Sequence, residues 1–341
     1  MRFGLFVPQG WRIDLVGIPP ERQWGAMLDV ARHVDAEEGW TSVWVYDHMH
    51  TVPEPSEEAC HEAWTLMAAL AATTGRVRLG QMCTCMSYRE PTYLAKVAAT
   101  VDVISGGRVD MGIGAGWYEH EWRAYGYGFP GAGDRLARLR EGVDVFRQMW
   151  TTGSATLDGE HYQVDGALCF PRPLQGSTEG FGGSPRNGIP VWVAGGGERK
   201  TLRIAAEYGD ATNFDGSPEG FEHKSAVLAE HCAAVGRDPE EIVRSANYNV
   251  VIGQDAGEVE QRLTDVAERY RQAGLSEEAA RGQAESLRTQ PLVGTPEQVV
   301  EALQGLERLG MTYAITYFPE AAFDTSGIEL FESEVIPALG G

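Results

Sequence analysis

Two histidines at the end of a short apolar run are the residues of this chain best suited to moving protons. Residues 42–46 (SVWVY) are β-branched and aromatic, which is typical of a buried strand, and Asp47, His48 and His50 follow them. A histidine titrates near neutral pH, so His48 could donate or accept a proton in catalysis. A histidine in an ordinary surface loop has the same local sequence, so the interpretation depends on where the fold places it.

The spacing of His48 and His50 also fits a metal site, which makes a metal-dependent hydrolase an alternative class. Such a site needs further ligands from the ends of other strands. Of the later histidines, only His120 follows a predicted strand closely. We therefore expect no metal in this protein.

A glycine-rich stretch, GIGAGWYEHE at residues 112–121, follows the fourth predicted strand. Its glycines would let the backbone turn sharply or approach a flat ligand. The spacing does not match the fingerprint of a dinucleotide-binding fold. Trp117, Tyr118 and His120 could line a pocket for a ring system, and ordinary packing at the rim of a fold is the alternative.

Three consecutive glycines, Gly195, Gly196 and Gly197, lead into a helix predicted over residues 199–207. Unused backbone N–H groups at the start of a helix bind anions, and Arg199 and Lys200 add positive charge there. We expect a phosphate site at this loop. The position late in the chain, near an aromatic group and a histidine, favours a phosphorylated ring cofactor.

The overall charge limits the possible partners. Lysine and arginine number 28 against 49 aspartates and glutamates, a net charge of −21. Such a surface repels nucleic acid and anionic lipid, so any anion must be held by a local device. Five cysteines, an odd number, predict reduced thiols in a cytoplasmic protein. We expect neither a signal peptide nor a segment that spans a membrane.

Strands alternate with helices along the chain, which predicts an α/β fold. The predicted strands cover residues 2–7, 42–46, 77–85, 109–113, 191–194, 211–214, 242–252 and 312–318. The predicted helices cover residues 21–38, 63–74, 91–105, 134–149, 199–207, 218–235, 258–287, 295–309 and 328–339. Eight strand–helix units favour a (β/α)8 TIM barrel that forms one domain over residues 1–341, with a doubly wound open sheet as the alternative.

An insertion at about 155–190 interrupts this alternation between strands four and five. It begins with a predicted hairpin that turns at Asp158 and Gly159, and residues 170–190 are rich in glycine, proline and serine. Long loops without regular structure are often lids or binding loops. Because the segment carries apolar residues and leads into the strand before the three glycines, we expect a lid over the pocket.

Active sites of (β/α)8 barrels lie at the carboxyl ends of the strands. His48, the stretch at 112–121 and the three glycines all follow predicted strands, so we favour functional roles for them. Cys83 and Cys85 share one face of the third strand, where a disulfide between them is disfavoured by geometry.

Taken together, the Asp-His pair, the GAGWYE string and the GGG loop resemble the bacterial luciferase-like superfamily, and more closely its branch that uses the deazaflavin coenzyme F420. The resemblance covers essentially the whole chain. It implies a barrel with the cofactor at its carboxyl-end mouth, with FMN in place of F420 in some relatives. It also suggests a homodimer.

The resemblance further implies roles for individual residues. Asp47 and His48 would lie beside the deazaflavin ring, where the histidine assists hydride transfer. The bond between Met82 and Cys83 would be a cis peptide that supports the ring. The other implied cofactor contacts are Cys85 at the ring, His120 at its pyrimidine edge, and Gly196 and Gly197 at the phosphate.

One position departs from the family's glucose-6-phosphate dehydrogenases, because Trp117 replaces a glutamate that acts as an acid in them. Sugar-phosphate oxidation is therefore not implied, and a more apolar small-molecule substrate is expected. We predict an F420-dependent oxidoreductase in which Trp117 and Tyr118 shape the substrate pocket. The alternatives are an FMN-dependent monooxygenase and a barrel that binds a flavin-like molecule without turnover.

Overall fold

A computed structural model describes residues 1–175 and 187–340 of the chain. The strands are β1 (Arg2–Phe6), β2 (Ser42–Val45), β3 (Arg78–Gln81), β4 (Thr84–Cys85), β5 (Val109–Gly114), β6 (Ser154–Asp158), β7 (Gln163–Leu168), β8 (Val191–Ala194), β9 (Ala211–Asn213), β10 (Val243–Ile252), β11 (Leu292–Gly294) and β12 (Tyr313–Tyr317). The helices are α1 (Pro20–Ala36), α2 (Ala63–Thr73), α3 (Pro91–Ser105), α4 (Glu119–Ala124), α5 (Ala132–Thr152), α6 (Thr201–Tyr208), α7 (Pro218–Val235), α8 (Ala256–Gln272), α9 (Glu277–Arg288), α10 (Pro296–Arg308) and α11 (Ser326–Leu330).

The chain divides into two compact units. The first unit comprises residues 1–62, 216–221 and 245–341, and the second comprises residues 63–215 and 222–244. In the first unit β1 pairs in parallel with β2 and β12, and β10 pairs with β11 and β12. In the second unit β5 pairs in parallel with β3, β4 and β8, and β8 pairs with β9.

The fold is the α/β TIM-barrel type, as the alternation of elements predicts. All eight predicted strands are present, at β1, β2, β3 with β4, β5, β8, β9, β10 and β12. Parallel strands of this fold are covered on both faces, and every residue of β2, β5 and β12 is buried. That double burial explains why these strands are recognisable as mainly apolar runs.

Several predicted elements are interrupted. The third predicted strand, 77–85, splits into β3 and β4 at a cis peptide bond between Met82 and Cys83. The helix predicted over 258–287 is two helices, α8 and α9, because Gly274 has a φ of 95° and Ser276 caps the second helix. The last predicted helix, 328–339, becomes α11 followed by a π-helical turn and a short 3₁₀ turn.

The predicted hairpin is present as β6 and β7, which pair antiparallel. Of the segment expected to form a lid, residues 176–186 lie outside the described residues. Its described start is fixed by hydrogen bonds from Leu174 N–H to Asp102 Oδ2 at 2.8 Å and from Gln175 Nε2 to Val109 O at 2.7 Å. Gly188 N–H donates to Gln175 O at 3.2 Å.

Those contacts correct the position assumed for the segment. Val109 is the first residue of β5, so the segment is attached at the amino ends of the strands, and it enters β8 at its amino end. The three glycines follow the carboxyl end of β8. The described ends of the segment therefore lie at the opposite strand ends from the three glycines, and the lid itself stays a prediction. Within the described residues, no helix is long and apolar enough to cross a membrane.

Candidate functional site

His48 in the first unit lies against the indole of Trp11. The two rings are parallel, with centroids 4.2 Å apart and an interplanar angle of 4°. Trp11 also contacts the ring of Tyr46 at 4.2 Å, and both aromatic side chains are buried. His48 follows β2 by three residues, while Trp11 follows β1, so two neighbouring strand ends fix the imidazole.

Gln9 joins these two strand ends. Its amide nitrogen donates to the carbonyl oxygens of Tyr46 at 2.7 Å and His61 at 2.6 Å, and its amide oxygen accepts from Tyr46 N–H at 2.7 Å. The side chain is fully buried. Asp47, the next residue after Tyr46, is also buried. The Cys60 thiol donates a hydrogen bond to the carbonyl oxygen of His48 at 3.3 Å. The backbone that carries Asp47 and His48 is therefore held on both sides.

A buried polar cluster continues from Trp11 along the loop after β1. The guanidinium of Arg12 lies 5.4 Å from the Trp11 ring and 4.5 Å from the Tyr317 ring, and it donates to Asn249 Oδ1. Asp14 accepts hydrogen bonds from Gly10 N–H at 2.6 Å and from Tyr317 Oη at 3.1 Å. Burial raises the pKa of Asp14, although these two hydrogen bonds oppose the rise.

In the second unit, the peptide bond between Met82 and Cys83 is cis, which confirms the expectation drawn from the family resemblance. Thr84 Oγ1 donates to Gln81 Oε1 at 2.7 Å across this break between β3 and β4. Cys85 is buried and Cys83 is half-buried, and neither is in a disulfide bond.

The glycines of β5 have a different role from the one expected. A Cβ atom on Gly112 would lie 1.8 Å from the carbonyl oxygen of Gln81, and one on Gly114 would lie 2.6 Å from Cys83 Sγ. These two glycines are therefore required by the close approach of β5 to the β3–β4 break. Sharp turning or contact with a flat ligand is not needed to explain them.

Beyond β5, the stretch predicted to line a pocket forms a continuous aromatic row. Trp117 stacks on Tyr118 with centroids 5.2 Å apart, and Tyr118 lies 6.0 Å from the His120 ring. Trp117 is 61% exposed. His120 lies on α4, a short helix that sequence patterning did not reveal. An exposed, stacked indole at a strand end is available to a ligand.

The three-glycine loop borders an open cavity of about 1050 Å³ within the second unit. The helix after the loop begins two residues later than expected, at Thr201, and residues 198–200 form a turn. Gly195 N–H donates to Asn213 O at 2.8 Å, whereas the N–H groups of Gly196 and Gly197 make no hydrogen bond within the described residues. These two donors are free to bind an anion.

Five cationic side chains line this glycine-loop cavity, namely Arg140, Arg199, Lys200, Arg203 and Lys224. The chain has only three lysines, and two of them are here. Such a concentration stands out in a protein with a net charge of −21 and creates a local positive field.

The two carboxylates of the cavity engage part of this charge. Glu198 accepts from Lys224 Nζ at 2.6 Å and from His223 at 3.0 Å, and the bond from Lys224 is the main cause that lowers the pKa of Glu198. Glu207 accepts from Arg140 and Arg203. Burial alone would raise the pKa of Glu207, but these hydrogen bonds lower it overall.

Arg199 and Lys200 make no ion pair with the rest of the described chain, so they and the two glycine N–H groups are the available anion contacts. Sequence reasoning found the loop but missed Arg140, which comes from α5, and Lys224, which comes from α7. Neither residue lies near a glycine motif in the sequence, so nothing in the neighbouring residues indicates a role in anion binding. Among the described residues, no group of three or more histidine, cysteine or acidic side chains is arranged to hold a metal ion.

Comparison with known proteins identifies the family. Residues 1–313 match the model of luciferase-like monooxygenases. An F420-dependent glucose-6-phosphate dehydrogenase of Kineococcus radiotolerans is 27% identical over 336 residues, covering 92% of this chain and 93% of the relative.

Two solved structures share the fold. An F420-dependent secondary alcohol dehydrogenase, in complex with an F420–acetone adduct, has a TM-score of 0.75 at 20% identity, covering 99% of this chain and 98% of that one. The monooxygenase RslO1 from Streptomyces bottropensis also has a TM-score of 0.75, at 23% identity, covering 99% and 100%. The chain therefore belongs to the luciferase-like monooxygenase family and is an oxidoreductase of that family.

Proposed function

We propose that this protein is an F420-dependent oxidoreductase that transfers a hydride between coenzyme F420 and a small organic substrate. The observation that carries the proposal is the glycine-loop cavity, with two unused backbone N–H groups and the cations Arg199 and Lys200. The dehydrogenase of Kineococcus radiotolerans, which matches nearly the whole chain, supports F420 as the cofactor.

The residues of the cavity fit a phosphate. Gly196 and Gly197 would donate backbone hydrogen bonds, and the unpaired cations would neutralise its charge. F420 also carries carboxylates beyond its phosphate, while FMN ends at the phosphate. The five cations of this cavity exceed its two carboxylates by three charges, more than one phosphate neutralises, which favours F420 over FMN.

When bound, the cofactor would supply a ring carbon that can accept or release hydride. His48 takes or gives the proton at the substrate oxygen, with its ring oriented by Trp11. Asp47, the Met82–Cys83 bond, Cys85 and His120 contact the ring. Trp117 and Tyr118 border the substrate.

The relative's sugar-phosphate substrate is not carried over, because Trp117 stands where a glutamate is expected in such enzymes. The cytoplasmic location and the homodimer stay predictions.

The second candidate is an FMN-dependent monooxygenase, which the family model and the RslO1 structure favour. Titration of the purified protein with F420 and FMN separately, followed by ring fluorescence, decides between them. We expect tighter binding of F420, with an affinity that falls as salt rises because several charges are neutralised. Tighter binding of FMN would establish the second candidate, and binding of neither would refute both.

The phosphate assignment is tested with Gly196→Asp, which adds a negative charge beside the donors and a Cβ 3.5 Å from Lys224 Cε. We expect F420 affinity to fall about tenfold or more. Gly25→Asp is the matched control, since it adds the same charge on α1 where a Cβ meets nothing within 4 Å. Equal affinity of the two variants would show that the phosphate lies elsewhere.

A further inference from the structure

A second, much smaller cavity lies in the first unit, apart from the glycine loop. Its volume is about 30 Å³, and two arginines, Arg12 and Arg269, line it. The other lining residues are Ile13, Asp14, Val266, Tyr270, Leu287, Tyr317 and Pro319. That volume holds a group of a few heavy atoms, comparable to one or two waters.

Arg12 makes no ion pair among the described residues, although the nearby Asp14 acts on its charge. Its guanidinium lies over the rings of Tyr317, Trp11 and Tyr46 at 4.5, 5.4 and 5.7 Å, and its hydrogen bond within the described residues goes to the neutral amide of Asn249. A guanidinium has five N–H donors, so most of them remain unused here. The aromatic rings fix the plane of the guanidinium and leave the N–H groups along its edge for a ligand.

Arg269 supplies a second unused donor. Its Nη2 atom is buried and has no hydrogen-bond partner among the described residues. The guanidinium lies 5.5 Å from the ring of Phe323, which holds it from the other side. A buried donor without a partner costs free energy, and a bound acceptor would remove that cost.

Asp14 is the one carboxylate among the residues that line this cavity, and it does not neutralise both cations. One of its oxygens accepts from Gly10 N–H and the other from Tyr317 Oη. Within the lining, two guanidinium groups therefore face one carboxylate that is already hydrogen-bonded, while Glu320, which lies outside the lining, also acts on Arg269. The lining carries an excess of one positive charge inside a strongly acidic protein.

The backbone that presents Arg12 and Asp14 is itself unusual. Ile13, between them, has a φ of 61°, a conformation that a β-branched residue rarely adopts and that costs free energy. Gly10 is required nearby, because a Cβ there would lie 1.9 Å from the carbonyl oxygen of Ala59. The loop that carries Arg12 and Asp14 is thus conformationally constrained on both sides.

We propose that this arginine cavity binds a carboxylate group of the substrate, with Arg12 and Arg269 as specificity-determining residues. Calling this ligand the substrate rests on the proposed function. Arg12 and Asp14 of this cavity follow β1 and Tyr317 ends β12, whereas helices α8 and α9 supply further lining residues, Arg269 included. Arg12 contacts the same indole that holds His48. The substrate class is therefore a small organic acid that carries its reacting carbon outside the cavity.

Acetate is the probe, and no cofactor is added, so a failure here is distinguishable from a failure of the F420 proposal. The melting temperature is measured in sodium acetate and in sodium chloride at equal ionic strength and pH, with neutral acetamide as a shape control. We expect acetate alone to raise the melting temperature, by about 1–2 °C at concentrations near ten times its dissociation constant. The measurement is repeated in Gly196→Asp, to exclude binding at the glycine loop.

Arg12→Gln and Arg269→Gln should each abolish the acetate effect. Arg281→Gln is the matched control, because Arg281 is exposed on α9 in the same unit. If Arg12→Gln does not fold, Arg12→Lys replaces it and should reduce the effect by at least half, since lysine lacks the planar fork. An acetate effect equal to that of chloride, or one that survives in both glutamine variants, overturns the proposal.

Discussion

Glu320 gives the protein a stability that depends on pH in an unusual direction. This side chain follows β12 and is 5% exposed. Its Oε1 accepts from Arg262 Nη1 at 3.2 Å, while its Oε2 is buried without a hydrogen-bond partner in the described chain. Burial raises the pKa of Glu320 from 4.5 to about 7, and the nearby Arg262 and Arg269 oppose the rise only in part.

Because the pKa is higher in the folded state, the folded protein holds a proton that the unfolded chain has lost. Between pH 4.5 and pH 7 the free energy of unfolding therefore falls as pH rises, by about 1.36 kcal/mol for each pH unit. Over this interval the loss is about 3 kcal/mol. The contribution of Glu320 is fully present below pH 4.5 and is lost above pH 7.

Urea denaturation of wild type and Glu320→Gln at pH 5 and pH 8 measures this loss. The difference in unfolding free energy, variant minus wild type, should increase by about 2.5 kcal/mol from pH 5 to pH 8, because glutamine does not titrate. Glu334→Gln, which changes an exposed carboxylate of the same unit, controls for the lost charge. A difference that is the same at both pH values would refute the reasoning about burial.

Three further predictions concern the strand ends of the first unit. His48→Ala should keep cofactor affinity within about tenfold and lower turnover by roughly 10²–10⁴, the usual range for a lost acid–base group; unchanged turnover would leave His48 a ring contact at most. Gly10→Ala should lower the free energy of unfolding by more than about 1 kcal/mol, because its Cβ would meet the carbonyl of Ala59, and unaltered urea denaturation would contradict this. Burial lowers the pKa of His61, so its contribution to stability is present above pH 6.5 and is lost as pH falls below that value; His61→Gln should flatten this part of a pH–stability curve, and an unchanged curve would show that another group titrates there.

The parts of the fold that sequence patterning predicted are those with a local cause. β5 and β12 are buried on both faces, so their sequences are mainly apolar and the strands are evident. His48 and the three glycines could be found because each directly follows such a strand. The break at Met82 and Cys83 has no local signal and was expected only from the family resemblance.

The arginine cavity could not be predicted in the same way. Asp14 and Tyr317 are 303 residues apart, and nothing in either neighbourhood indicates the other. The position of the insertion, in contrast, could have been worked out. The hairpin of β6 and β7 follows a helix, α5, and a helix of this fold returns the chain to the amino ends of the strands.

The parallel stacking of Trp11 on His48 has a consequence for optical experiments. A protonated imidazole in contact with an indole quenches its emission, whereas the neutral ring does so much less. The emission of Trp11 is obtained by subtracting the spectrum of Trp11→Phe from that of wild type. This difference should follow the charge of His48 alone among the eight histidines of the chain. The protein carries its own spectroscopic reporter at the residue proposed to move the proton, readable in real time without a label.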